Sequence, residues 1–317
     1  MEDIVKHFCC AIIIMVIFMK KLFFVMNPYS GQRKANRVLA DILSIFNRAG
    51  YTVTVHITGG PGDATTAAKQ HAAHTDLVVC CGGDGTFNET VAGVLQSGID
   101  VPIGYIPAGS TNDFASSLHL ASDILQSARD IVEGAPVRLD IGSFGGRYFS
   151  YVASFGAFTK TSYTTPQNVK NALGHMAYVL SSIQELSQIK TNRVRFELPD
   201  GRVVEDDFLF GAISNSTSVG GILTLAPDKV DMRDGKFELL LIRAPRELFE
   251  LTECLVALQR QTYNCSMITF LSTPSVRVLP PADMEWTLDG ERERAHALVN
   301  VENLHHAVQI ICRGENT

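Results

Sequence analysis

The run Leu77-Val78-Val79-Cys80-Cys81, followed at once by Gly82-Gly83-Asp84-Gly85-Thr86-Phe87-Asn88-Glu89, constrains the fold of this chain more than any other segment. Five consecutive apolar residues ending in glycine read as a strand buried on both faces, and such strands belong to parallel sheets covered by helices. The glycines turn the chain, and a helical period resumes over Phe87–Gln96. A buried strand that turns straight into a helix aims main-chain N–H groups and the positive end of the helix at one point, which attracts anions. Asp84 places a carboxylate there; beside a polyphosphate its natural partner is Mg2+ or the waters around it. An ordinary strand-to-helix turn would satisfy the same local pattern. Two familiar phosphate motifs do not fit: a dinucleotide-binding G-x-G-x-x-G needs glycine where Asn88 stands, and a P-loop needs Gly-Lys-Ser/Thr.

The surroundings repeat this logic. Strands are expected over Leu22–Met26, Thr52–Ile57, Leu77–Cys81 and Pro102–Ile106. Between them, Lys34–Ala49 sets Val38, Leu39, Ile42, Ile45 and Phe46 on one helical face and stops at Gly50, and Asp63–His74 gives a further helix. Ser122 is placed to cap a helix running to Glu133, which Gly134-Ala135-Pro136 ends. Each strand finishes in a small, polar loop: Met26 to Gly31, Thr58 to Ala64, Gly82 to Glu89, and Ile106 to Ala115 with Ser110, Thr111, Asn112 and Asp113. Four such loops in succession favour one shared nucleotide site at the carboxyl ends of a parallel sheet.

After Asp140 the texture becomes aromatic and β-branched, with strands expected over Tyr148–Ala153, Val194–Leu198, Asp207–Ser214, Lys236–Ile242, Met267–Leu271, Val276–Val278 and Ala297–Val301. Pro199-Asp200-Gly201 is a hairpin turn, and one helix, Gly174–Ile189, interrupts the β pattern. The expected organisation is an α/β domain over 19–142 with a mainly parallel sheet, and an all-β, sandwich-like domain over 143–317 whose C-terminal end packs back on the first. Residues 1–18 read as an upstream extension, because Met19 begins a natural start, Met19-Lys20-Lys21-Leu22. The apolar run Cys9–Met19 is too short to span a bilayer, which takes about 20 residues.

With 317 residues, 46% of them apolar, the chain can bury a large core. A net charge of −6 and no basic cluster argue against a nucleic-acid partner. The seven cysteines have no CxxC spacing and read as reduced thiols in cytoplasm.

Asn27-Pro28-Tyr29-Ser30-Gly31, the Gly82 to Glu89 loop, Pro107-Ala108-Gly109-Ser110-Thr111-Asn112-Asp113-Phe114-Ala115 and Asp289-Gly290-Glu291 occur in the order of a known signature. From Met19 onward the chain resembles the diacylglycerol kinase catalytic family, which includes sphingosine and ceramide kinases. Gly-Gly-Asp-Gly-Thr alone is shared with NAD kinases and phosphofructokinases; Asn88-Glu89 and Asn112-Asp113-Phe114 narrow the resemblance to lipid kinases. It implies ATP on Asn27, Pro28, Ser30, Gly31, Thr58, Gly83, Asp84, Gly85, Thr86, Asn88, Glu89, Ser110, Asn112 and Asp113, with Asp84 and Asp113 near its phosphates or Mg2+. It implies Glu291 as general base, with Asp289 holding it or the metal, whereas the residues alone read as a hairpin turn followed by charged Arg292-Glu293-Arg294. It also implies a structural magnesium site in which Asp234 supplies a carboxylate and Asp231 and Lys236 supply carbonyls; without the family that segment is a turn entering a strand. Ser110 stands where threonine is usual, and Gln32 where bacterial relatives often carry lysine, with Arg33 and Lys34 adjacent.

Weaker signals take ordinary readings. His71 and His74 read as an exposed helix face, and Lys160, Lys170, Arg243 and Arg246 as solvated surface. Met176, Val179, Leu180, Ile183 and Leu186 read as one side of a helix packed on the β domain, with the lining of a lipid groove as the alternative. The expected function is an ATP- and Mg2+-dependent lipid kinase, with diacylglycerol as acceptor, working in cytoplasm at the inner face of the membrane without a transmembrane segment; a homodimer is allowed. An NAD kinase-like enzyme and a catalytically silent lipid-binding protein of the same fold are the alternatives.

Overall fold

A computed structural model describes residues 19–156, 190–219, 223–282, 284–294 and 297–314, with the side chain of Gln32 outside that description. The expected extension 1–18, the helix Gly174–Ile189, and Lys160 and Lys170 therefore lie outside the described residues. Contacts divide the chain into two compact units. One runs to Asn112 and takes up His119–Val137 and the chain from Val308; the other holds Asp113–Leu118 and Arg138–Ala307.

In the first unit β1 (Lys20–Met26), β2 (Tyr51–Ile57), β3 (Leu77–Gly82) and β4 (Ile103–Pro107) pair in the order β4-β3-β1-β2, all parallel. Central strands are covered on both faces, which is why β3 and β4 are buried throughout, while the edge strand β2 leaves Val55 and Ile57 exposed. Leu22, Phe24, Leu77, Val79 and Ile106 pack against Ile42 and Phe46 of the helix Leu39–Arg48 and Ala128 and Ile131 of the helix Ile124–Glu133. Each large side chain so buried contributes about 1.5–3 kcal/mol. Burial also pushes the Cys81 thiol up to about 12 and that of Cys80 further still, so these cysteines are inert core.

Several boundaries differ from expectation, each for a local reason. The helix expected over Lys34–Ala49 breaks at Val38 (φ −116°, ψ 13°) into Lys34–Arg37 and Leu39–Arg48. Val38 and Leu39, on either side of the break, both pack on the core, so the expected apolar face survives it. The helix after β3 spans Asp84–Ser97, so it begins at Asp84 rather than Phe87, with Gly83 as its extended cap. Asp123, not Ser122, caps Ile124–Glu133, its Oδ1 accepting from Gln126 N at 2.8 Å. Asp123→Ala is expected to cost about 1 kcal/mol, read as a lower denaturant midpoint at unchanged slope. Ala135 and Pro136 do not simply end that helix; they open β5 (Ala135–Phe144), at the start of which proline is tolerated.

In the second unit β5 turns into β6 (Arg147–Phe149), so the strand expected over Tyr148–Ala153 is split before β7 (Val152–Gly156). β8 (Asn192–Glu197) and β9 (Val203–Ser214) flank the expected Pro199-Asp200-Gly201 hairpin. After the short pair β10 (Ser218–Val219) and β11 (Leu223–Thr224) come β12 (Phe237–Arg243), β13 (Ile268–Thr273), β14 (Ser275–Leu279), β15 (Glu285–Leu288), β16 (Glu291–Arg294) and β17 (Val299–Cys312). The long β9 pairs with β8 along its first half and with β7 and β12 along its second, so two groups of strands close on one core. Phe144, Phe155, Phe196, Phe208, Phe237 and Trp286 fill that core, with the Trp286 ring 4.7 Å from that of Phe155. The helix Leu248–Gln259 was not expected, since its apolar residues surround it instead of forming a stripe. Its Glu250 meets Arg243 at 2.5 Å, so Arg243 is a largely buried partner rather than solvated surface, and it holds the Glu250 carboxyl down at about 2. No helix of the described residues is long and apolar enough to cross a membrane.

Candidate active site

Ligands of open α/β sheets bind where the strand order reverses, and the first unit has such a point. From β1 the chain moves to β2 on one side and then to β3 on the other, so the loops leaving β1 and β3 part in opposite directions and open a crevice between them. Register puts all four strand ends level, Met26 opposite both Ile57 and Cys81, and Cys81 opposite Ile106. The four loops therefore leave one edge of the sheet together.

Side chains lock them there. Asn27 at the end of β1 donates through Nδ2 to Thr86 Oγ1 in the first turn after β3, at 3.1 Å, and its Oδ1 accepts from Tyr29 N at 2.9 Å. Gly31 adopts φ +50°, and a Cβ there would lie 1.9 Å from the Ala108 carbonyl oxygen. Gly83 and Gly109 approach so closely that a Cβ on Gly109 would lie 2.5 Å from the Gly83 Cα. Asn112 pins its own loop, Oδ1 accepting from Gly109 N at 2.9 Å and Nδ2 donating to Gly109 O at 3.2 Å. Glu89 accepts from Gly62 N at 2.8 Å and Ala64 N at 3.2 Å, capping the helix Asp63–His71 that follows the β2 loop with Thr58. Asp84, half-buried, is the first helical residue, Gly85 follows it, Asn88 is buried in the same helix, and Ser110 is exposed on the β4 loop. Gly31→Ala is expected to unfold this corner, seen as a melting point lower by several degrees.

In the second unit the expected hairpin turn is real, with Leu288 opposite Glu291 and φ +48° at Asp289. Asp289 is buried, and its carboxylate accepts from Ser150 N at 2.5 Å and from Tyr151 N and Val152 N at 3.0 Å each. Those bonds give Asp289 the work of holding the turn against the start of β7. Glu291 is exposed and meets Arg147 at 2.5 Å, which also holds Glu293 at 2.5 Å. Asp113 accepts from Ser218 Oγ at 2.8 Å, and burial pushes its carboxyl up. In the turn before β12, Asp231 Oδ1 accepts from Arg233 N at 3.0 Å, Asp234 Oδ1 from Lys236 N at 2.9 Å, and Lys236 O from Asn303 Nδ2 at 2.9 Å. Two buried oxygens nearby, Glu238 Oε2 and Asn303 Oδ1, have no partner among the described residues. Burial, with Asp234 and Asp231 adding to it, pushes the Glu238 carboxyl up to about 8.

Comparison with known proteins now decides the family. Residues 21–144 match the diacylglycerol kinase catalytic domain. A diacylglycerol kinase of Bacillus subtilis (strain 168) is 34% identical over 275 residues, covering 86% of this chain and 90% of that protein. The chain belongs to the diacylglycerol kinase family. One from Staphylococcus saprophyticus is 33% identical over the same length, covering 86% of this chain and 89% of the other. In fold, a diacylglycerol kinase crystal structure from Bacillus anthracis strain Sterne superposes with a TM-score of 0.72 at 20% identity, over 94% of this chain and 98% of that one.

This member of the diacylglycerol kinase family is thus a lipid kinase, built as an α/β part with parallel strands followed by a β-rich part. Among the residues singled out in the sequence, the first unit gathers Asn27, Gly31, Gly83, Thr86 and Asn112 into one corner, and Glu89 braces it. Four residues that sequence reasoning passed over are tied to these groups. Arg147 holds Glu291, Ser218 holds Asp113, Glu238 lies by the 231–236 turn, and Asp140 accepts from Gly235 N in that turn at 2.7 Å. The available signal for Asp140 and Glu238 was an acidic residue flanked on both sides by apolar ones, Leu139 and Ile141, and Phe237 and Leu239. His71 is not simply an exposed helix face, since its ring stacks on Phe23 at 4.1 Å.

Proposed function

We propose that this kinase transfers the γ-phosphoryl group of ATP to the hydroxyl of diacylglycerol, giving phosphatidic acid, with Mg2+ as cofactor. The observation that carries the reading is the level set of four loops at the β1/β3 crevice, locked by Asn27, Gly31, Gly109 and Glu89. Such a cradle binds phosphate through main-chain N–H groups and the start of the helix at Asp84. The acceptor follows from relatives at 33–34% identity, which are diacylglycerol kinases.

Glu291 is the general base in this reading, taking the lipid hydroxyl proton as the phosphoryl group leaves, and it has to exchange its Arg147 contact for that hydroxyl. Asp289 positions the turn that carries it. Asp84 would hold Mg2+ at the phosphates, where the ion would neutralise charge on the transferring group, and Asp113 is a second candidate carboxylate. The donor type fits such an ion: Asp113 is a buried carboxylate that burial pushes up, a cost a cation would offset. Asp231, Asp234 and Lys236 would hold a second, structural Mg2+, and the unpartnered oxygens of Glu238 and Asn303 make an oxygen-only surround suited to a hard cation. Because the acceptor resides in a bilayer, the enzyme works as a peripheral protein at the inner face of the membrane.

Purified protein with labelled ATP and Mg2+ is offered diacylglycerol micelles, sphingosine, ceramide and NAD in parallel. Label is expected in phosphatidic acid; label entering only NAD, or only a sphingoid base, overturns the assignment.

A further inference from the structure

We propose that Asp140, His305 and His306 form a binding site for a divalent transition metal of the zinc type, separate in donor set from the magnesium turn at 231–236. In a regular strand, consecutive residues point to opposite faces. His305 and His306 are consecutive in β17, yet both are exposed and their rings stack 3.7 Å apart. The cause is the left-handed backbone of His306 (φ +53°), which interrupts the alternation and swings the two imidazoles to one side.

Behind them lies Asp140, fully buried in β5. Its Oδ1 is 3.1 Å from His305 Nδ1 and accepts from His306 N at 2.7 Å, while its Oδ2 accepts from Gly235 N at 2.7 Å. One ligand atom from each of Asp140, His305 and His306 lies within 4.8 Å of the others. In a tetrahedral zinc centre, bonds of about 2.0–2.1 Å set ligand atoms roughly 3.3 Å apart. Closing from that spread to this spacing would take rotation of the two exposed imidazoles, with a water as fourth ligand.

Charge and donor type point the same way. A buried carboxylate is costly without a cation; among the described residues His305 pairs with Asp140 and carries charge only when protonated, while the Arg138 guanidinium donates to the His306 carbonyl at 3.3 Å. Two imidazole nitrogens and one carboxylate suit zinc or a neighbouring transition metal, whereas magnesium and calcium take oxygen donors. Asp140 also fixes Gly235, and the His305 ring packs against that glycine. A metal here would tie β5, β17 and the 231–236 turn together and resist unfolding.

The test is a titration of the full chain, purified without a histidine tag, with Co2+ followed by displacement with Zn2+. The expected result is one equivalent of cobalt with the intense visible absorption of a four-coordinate ion, displaced by zinc. Zinc is also expected to raise the melting temperature of the wild-type protein. His305→Gln and His306→Gln should each weaken cobalt binding at least about ten-fold and abolish the zinc-dependent rise. His306→Asn, whose side chain tolerates the left-handed backbone, replaces His306→Gln if the latter does not fold. Wild-type protein that takes up no cobalt, or variants that bind it as tightly as wild type, overturns the site.

Discussion

Alanine in place of Glu291 is expected to lower turnover by a factor of about 10²–10⁴ while the protein stays folded. The second half of that expectation rests on where the residue sits. Glu291 is the first residue of β16, beyond a turn that Asp289 holds through three main-chain donors, so the turn does not depend on the Glu291 carboxylate. Its side chain is 51% exposed, and its ion pair with Arg147, the one among the described residues, leaves that arginine still bound to Glu293 when it is removed. Exposed pairs of this kind contribute about 0–1 kcal/mol, so the loss of rate reports chemistry rather than folding. Glu291→Gln sharpens the test. Glutamine keeps the length and an acceptor for Arg147 but does not take up a proton, so it should be nearly as slow as alanine at saturating acceptor, with an unchanged melting curve. A glutamine enzyme running at the wild-type rate would remove Glu291 from the role of base.

What the sequence made legible follows from how each feature is encoded. Buried parallel strands appear as apolar runs, and strand ends that need tight turns appear as glycine and small polar residues. The four strands and four loops of the first unit could therefore be read locally. Their register could not. That Met26 lies opposite both Ile57 and Cys81, that Asn27 reaches Thr86, and that Gly31 must clear Ala108 are contacts between distant positions. Glu89 illustrates the consequence: its place in the motif suggested phosphate, while its carboxylate caps the helix after β2. Asp289 is similar, since nothing local to the turn reveals the three N–H groups it accepts from Ser150 to Val152. The helix Leu248–Gln259 was missed because it lacks an apolar stripe, and β5 because Pro136 near its start reads as a helix stop. His305 and His306 carried a readable signal, a dipeptide of metal ligands, but its meaning depends on a single backbone angle.

The largest effect is expected at Asp84, where alanine or asparagine should lower turnover by on the order of 10³ or more. Two physical roles compete for this carboxylate, and they predict different data. As the first residue of the helix Asp84–Ser97, with Gly83 as the cap, it interacts favourably with the positive helix end, a contribution of about 0.3–1 kcal/mol. If that were its whole function, Asp84→Asn would show a slightly lower melting temperature and ordinary kinetics. As a partner of Mg2+ at the phosphates, its charge is needed in the transition state, and asparagine, equal in shape, lacks it. The variant should then need far more Mg2+ to reach a maximal rate that itself remains low, while its stability falls by no more than the helix-end contribution. Titrating Mg2+ at fixed ATP on wild-type and Asp84→Asn enzyme separates the two. Near-normal turnover with an unshifted magnesium dependence would leave Asp84 as a helix-terminal charge only, and the cradle would then bind phosphate through its main-chain N–H groups without a metal-bearing side chain at its centre.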